Sequence, residues 1–242
     1  MANRQRAEAR RKAQAKAARS GEDGGNKMMM WITIGVVVLL AGGIAFFATR
    51  GDDDASADSE TTVSTPGASF PDSQPVTITG EALVPFASGG EDLAVGMPAP
   101  KLSGLDFRGE EISITPDEGP YMLVFLAHWC VHCNAEVPRL IDWRNSGGVP
   151  SDLDVIGVAT AVAKGADNYP PASWFSNKGW PWPVMVDETT GEGTAGKAAQ
   201  AFGASGWPYF VIVGEDGLVK VRVSGEVEAA ELQVIVDEAL AG

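Results

Sequence analysis

One junction constrains the fold of this chain more than any other stretch. Tyr121 to Ala127 is a continuous apolar run of buried-strand length, and Asn134 to Arg144 has helical spacing, with Val137, Leu140 and Ile141 on one face. Between them, Trp129-Cys130-Val131-His132-Cys133 holds the only two cysteines in 242 residues. A lone pair spaced C-x-x-C reads as redox chemistry rather than as a structural staple. A disulfide closing so short a loop would add little stability. At a helix start, unpaired backbone N–H groups and the positive dipole end favour an anion. The position therefore predicts a stabilised Cys130 thiolate as the exposed attacking sulfur, with Cys133, roughly one turn on, as the resolving one.

The rest of the C-terminal half alternates. Ile112 to Ile114, Leu153 to Ala161 and Pro183 to Val186 read as strands. Ala172 to Asn177 and Lys197 to Phe202 read as short helices, the second stopped by Gly203. Tyr209 to Val213 and Leu218 to Val223 flank Gly214-Glu215-Asp216-Gly217 as a hairpin, and Glu226 to Leu240 closes with a helix. This order implies an α/β sandwich with a central mixed sheet. Residues 94–242 suffice for one core. Val76 to Thr79 alternates like an added strand near 76–80, so the globular domain starts near residue 76 or near residue 94.

Charge divides the chain. Residues 1–27 carry eight Lys/Arg against three acids, whereas residues 51–242 carry nine against 29. An acidic body argues against nucleic acid as a partner. Met28 to Ala48 is 21 residues without a charge, long enough to cross a hydrocarbon core of about 30 Å. We read residues 1–27 as a basic cytoplasmic tail and residues 28–48 as an uncleaved transmembrane signal-anchor helix in the lipid bilayer. Residues 49–93 follow as an acidic, Ser/Thr/Pro-rich linker, and residues 94–242 as the domain. A cleavable signal peptide is the competing reading, with an apolar region usually shorter, roughly 7 to 15 residues. The basic flank orients everything after Arg50 outside the cytoplasm, at the cell membrane.

Other uses of the cysteines fit less well. Covalent haem attachment needs His after the second Cys, and residue 134 is Asn. Zinc could draw on Cys130, Cys133, His128 and His132, but four ligands within six residues at such a junction do not readily form a tetrahedron. A membrane-tethered copper chaperone or binding module would usually have a C-x-x-x-C spacing. A thiol peroxidase would need Pro-x-x-x-Thr-x-x-Cys, which the sequence lacks. No metal and no cofactor is called for.

Trp129-Cys130-x-x-Cys133-x-x-Glu136-x-Pro138 resembles the active-site signature of the thioredoxin superfamily. Val95-Gly96-Met97-Pro98-Ala99-Pro100 and Glu136 resemble its TlpA-like branch of membrane-anchored thiol–disulfide oxidoreductases. Pro183-Val184-Met185-Val186-Asp187 and Gly206-Trp207-Pro208-Tyr209-Phe210 extend the resemblance across residues 94 to 242. It implies a thioredoxin-like sandwich and exchange of disulfides with exported thiol or disulfide proteins, in disulfide formation or cytochrome c maturation, with a membrane redox partner. By the same resemblance Pro208 is a cis-proline facing the disulfide, and the backbone at Trp207 pairs with substrate. The Trp207 side chain either packs or narrows which substrates fit. Glu136 is implied to be a partly buried carboxylate that takes the proton of Cys133, against the alternative of a solvated helix acid. His132 matches the tuning position of DsbA-type oxidants, against the alternative of a solvent-facing imidazole. Trp129 is expected as a lid over the disulfide, and His128 as either a rim residue or a second tuner. Trp174, Trp180 and Trp182 are expected to pack.

Overall fold

A run that is apolar at every position has to be covered on both sides. The computed structural model, which describes residues 71–241, buries all six side chains of Tyr121–Leu126 in this way. In chain order the strands are β1 (Thr77–Thr79), β2 (Lys101–Leu105), β3 (Glu111–Ile114), β4 (Tyr121–Leu126), β5 (Asp154–Ala159), β6 (Val184–Val186), β7 (Tyr209–Val213) and β8 (Val219–Ser224). The helices are α1 (Val131–Asn145), α2 (Pro171–Lys178), α3 (Lys197–Ala201) and α4 (Ala229–Ala241). The sheet runs β1-β2-β6-β5-β4-β7-β8, with β3 paired to β2. It is mixed: β4, β5 and β6 are parallel, and β7 and β8 add antiparallel beside β4. This is the α/β sandwich that the alternation implies.

Alternation along β4 divides the core. Met122, Val124 and Leu126 pack with Val137 and Leu140 of α1, Trp174 of α2 and Leu232 and Val236 of α4. Leu123 and Phe125 face the other way, with Ala198 and Ala199 of α3. The buried carboxylate of Asp187 accepts from the amides of Ala198 (2.7 Å) and Ala199 (3.1 Å) and from Thr160 Oγ1 (2.8 Å), fixing the start of α3 to the end of β5.

Three local expectations shift. Helix α1 begins at Val131 rather than Asn134, because Cys130 is its N-cap: the Cys130 sulfur accepts from the backbone N–H of Cys133. Helix α4 begins at Ala229 rather than Glu226, which leaves Gly225 to Glu228 as a loop. Strand β2 was not expected from the sequence. Its inward side chains are only Leu102 and the hydrogen of Gly104, where a Cβ would come within 3.2 Å of Met185 Sδ.

The body also reaches further toward the N-terminus than residue 94. β1 pairs antiparallel with β2, Val76 and Leu83 are buried, and Leu83 N–H donates to Ala201 at 2.8 Å. Asp72 accepts from Tyr169 Oη (2.8 Å). Of the two starting points the sequence left open, packing favours the earlier. The basic tail, the expected membrane helix at 28–48 and the first part of the linker lie outside the described residues. Among the described residues, no helix is long and apolar enough to cross a membrane.

Candidate active site

The two cysteines are three residues apart and differ in almost every physical respect. Both are free thiols. Cys130 keeps 6 % of its surface exposed and Cys133 none, so only Cys130 can be reached from outside, through a narrower window than expected. The Cys130 sulfur lies 3.4 Å from Cys133 N and 3.4 Å from the Trp207 carbonyl, to which it donates when protonated. Its pKa is pulled down to about 6, chiefly by a hydrogen bond from the Cys133 thiol, then by the backbone N–H groups of Cys133 and His132 and the charge of His132, against the cost of burial. Burial pushes the Cys133 thiol far above its ordinary value, and hydrogen bonding to Cys130 pushes it further.

Pro138 interrupts α1 and deprives the Asn134 carbonyl of its i+4 donor. Lys178 Nζ of α2 takes that carbonyl at 3.2 Å. The Asn134 side chain donates to the carbonyls of His128 (3.2 Å) and Cys130 (3.0 Å) and accepts from Trp174 Nε1 (2.9 Å). Asn134 thereby braces the turn that presents Cys130, a role the sequence reading did not find.

Glu136, one turn beyond Cys133, is fully buried, so it is not a solvated helix acid. Its Oε2 accepts from Val227 N (3.2 Å) and Arg139 Nη1 (3.2 Å), while Oε1 is buried without a partner. Burial raises its pKa against the pull of these two donors. His132 is largely exposed, and its Nδ1 sits 2.6 Å from Glu226 Oε1. Glu226 raises the His132 pKa, with a smaller contribution from Cys130. The imidazole is thus engaged by a carboxylate, and its charge also acts on Cys130.

Pro208 follows a cis peptide bond from Trp207, and the Trp207 carbonyl, over Cys130, belongs to the same segment. The Trp207 side chain is half-buried against both halves of the core, so it packs. Trp129 is fastened rather than free, with Nε1 donating to the Ala161 carbonyl at 2.6 Å. His128 is buried, so it is no rim residue. Its Nδ1 donates to Asp167 O (2.8 Å) and its Nε2 accepts from Ala163 N (3.2 Å), which requires a neutral ring. Burial lowers its pKa in the same sense. Trp174 of α2 packs in the core and bonds to Asn134 of α1, and Trp180 and Trp182 pack edge to face at 4.9 Å.

The sequence model of the AhpC/TSA family matches residues 95–222, just over half of the chain. The chain belongs to the AhpC/TSA family, and its architecture is thioredoxin-like. No curated protein matches it. Among solved structures it is similar to a thiol:disulfide interchange protein of the thioredoxin family from Chlorobium tepidum. Identity there is 23 %, TM-score 0.47, and coverage 59 % of this chain and 94 % of that one. A DsbF homologue from Corynebacterium diphtheriae gives 17 %, 0.48, 64 % and 98 %. A secreted Mycobacterium tuberculosis disulfide oxidoreductase homologous to E. coli DsbE gives 20 %, 0.43, 56 % and 93 %.

Proposed function

We propose that this protein is a membrane-tethered, extracytoplasmic thiol–disulfide oxidoreductase of the TlpA-like kind, acting on exported proteins through Cys130 and Cys133. The observation that carries the reading is the asymmetry of the pair. Cys130, with its pKa near 6, is a thiolate at neutral pH beneath the Trp207 carbonyl, while Cys133 is a buried neutral thiol. The thiolate is the form that exchanges. The apolar run at residues 28–48 and the basic segment before it support the tether and the orientation.

In the reducing direction, the Cys130 thiolate attacks one sulfur of a partner disulfide. A Cys130–partner bond forms, the partner S–S bond breaks, and its second sulfur leaves as a thiolate and takes a proton. Cys133 then loses its proton and attacks the Cys130 sulfur, closing the intramolecular disulfide and releasing the partner's first sulfur. Two electrons pass to the partner, and its two sulfurs take two protons, one given up by Cys133 and one from solvent, because Cys130 attacks already ionised; oxidation of a partner dithiol runs the same steps backward. Glu136, buried one turn away with Oε1 free of other bonds, is the group to accept the Cys133 proton. An extended partner segment pairs with the backbone at Trp207, a form of strand addition.

Dithiol-dependent reduction of insulin tests the reading: the wild type should catalyse it and Cys130→Ser should not. Equal rates from the two proteins would remove the catalytic claim.

A further inference from the structure

We propose that Glu226 is a positioning residue for the redox pair, holding the His132 imidazole beside Cys130 from a loop that is itself pinned to the site. The proposal rests on the thiol–disulfide reading above and deepens it. The loop Gly225–Glu228 joins β8 to α4 and touches three parts of the site. Gly225 N–H donates to the Pro208 carbonyl (2.8 Å), and Val227 N–H donates to Glu136 Oε2 (3.2 Å). The Val227 side chain is buried. Between these two anchored amides stands Glu226. Its Oε1 lies 2.6 Å from His132 Nδ1 and its Oε2 2.5 Å from Arg139 Nη1.

An exposed ion pair is usually weak because two side chains must both be ordered. Here the backbone on either side of the carboxylate is already fixed, and Arg139 fixes its second oxygen. The charged groups that face His132 are Glu226 from the loop and Cys130 from the start of α1. Arg139 acts through Glu226, and also reaches Glu136 (3.2 Å) and Glu228 (3.4 Å). One carboxylate thus stands between the exposed imidazole and the arginine that holds the buried Glu136.

The consequence has a definite sign. Glu226 keeps the imidazole protonated to higher pH, so the Cys130 thiolate forms with an imidazolium for a neighbour. Without the carboxylate, the ring becomes neutral at lower pH and the thiolate loses that cation. Cys130 should then ionise less readily.

The test uses reduced protein and the isosteric Glu226→Gln. The His132 ring is titrated by NMR, and the pH profile of Cys130 alkylation by iodoacetamide is measured. The His132 midpoint should fall and the alkylation profile should move to higher pH. The rate at pH 6 should drop about 1.2- to 3-fold, which is what an exposed charge pair of about 0.2–1 kcal/mol does to a thiol half ionised at that pH. Glu226→Asp should restore part of the shift. In a His132→Asn background, Glu226→Gln should leave the profile where His132→Asn alone puts it. An unmoved His132 midpoint would overturn the proposal, and so would an equal profile shift in both backgrounds. Neither readout needs a disulfide substrate, so the result stands apart from the outcome of the insulin assay.

Discussion

Arg222 offers a direct test of whether the residues before 94 belong to the folded body. Its guanidinium, 1 % exposed, grips Asp92 with both ends of the fork. Nη1 donates to the Val84 carbonyl (2.8 Å) and the Phe202 carbonyl (3.2 Å), and the cation lies 5.5 Å from the centre of the Phe86 ring. Four contacts from one side chain thus tie residues 84–92 to β8 and to the end of α3. Gly203 completes the clamp: its φ is +73°, and a Cβ there would meet the Val84 carbonyl at 2.4 Å.

Replacing Arg222 with Met keeps much of the length and removes the charge. Breaking a buried pair by deleting one partner costs about 3–5 kcal/mol. The lower end applies here, because Asp92 is 16 % exposed and can be rehydrated, and because Phe202 O keeps its bond from Tyr209 Oη. A loss of about 3 kcal/mol should lower Tm by about 6–12 °C in a domain of this size. Urea unfolding should show the same loss, and hydrogen exchange should show deprotection at Leu83 and Phe86, whose amides bond to Ala201 and Gly203. Arg222 holds the Asp92 carboxyl below its usual range. That contribution is fully present above the ordinary carboxylate value and is lost as pH falls through the lowered one, so the gap between wild type and Arg222→Met should narrow in acid. Stability within 0.5 kcal/mol of wild type, about the usual spread for surface changes, would refute the clamp.

Four further outcomes can be checked. Reduced protein should show Cys130 titrating near 6 by thiolate absorbance, about 90 % ionised at pH 7 against about 1 % for a thiol at 9.0; Cys133→Ala, which removes the largest cause, should move it up. Because that pKa is depressed on folding, stability of the reduced over the oxidised form should rise as pH climbs from about 6 to 9, and a flat difference in paired denaturation curves would contradict the assignment. Glu136→Gln should slow closure of the mixed disulfide by up to about 10²-fold, the low end for positioned acid–base groups, so that trapped complexes accumulate in quenched-flow samples; unchanged closure would exclude Glu136 as the proton acceptor. Asn134→Ala should cost about 1–3 kcal/mol in urea unfolding, because the buried Trp174 indole loses its acceptor.

What the sequence made legible was whatever is encoded locally. The apolar run of β4, the hairpin and the C-x-x-C junction each lie within a few residues, so their patterns survive without a structure. Glu136 and Pro208 were visible through the motifs that resemble the thioredoxin superfamily, whereas position alone allowed a solvated helix acid and a simple strand-entry proline. The segment at 80–93 read as linker because Gly89 to Gly96 resembles a loop. Its order comes instead from Arg222, whose partner Asp92 is 130 positions away. Glu226 is hidden for the same reason, lying 94 positions from His132. The helix start at Cys130 was legible from the strand-to-helix junction, although the apolar periodicity of α1 does not begin until Val137.

On the proposed reading, the order of attack follows from these same contacts. Burial would silence both sulfurs, but Cys130 sits at the helix N-cap, where N–H groups and the Cys133 thiol offset the loss of water. Cys133 lies inside the first turn, without solvent, and two of the causes that keep it protonated come from Cys130 itself: the hydrogen bond it gives to that sulfur and the thiolate's charge. Once Cys130 is bonded to a partner sulfur it carries no charge and needs no donor, and both restraints vanish together. What then remains against Cys133 is chiefly desolvation and the charge of Glu136. A carboxylate that accepts the departing proton ceases to be an anion, so its repulsion ends in the step that ionises Cys133. On the proposed reading, the resolving thiol is thereby silent while it would be harmful and released when the mixed disulfide forms.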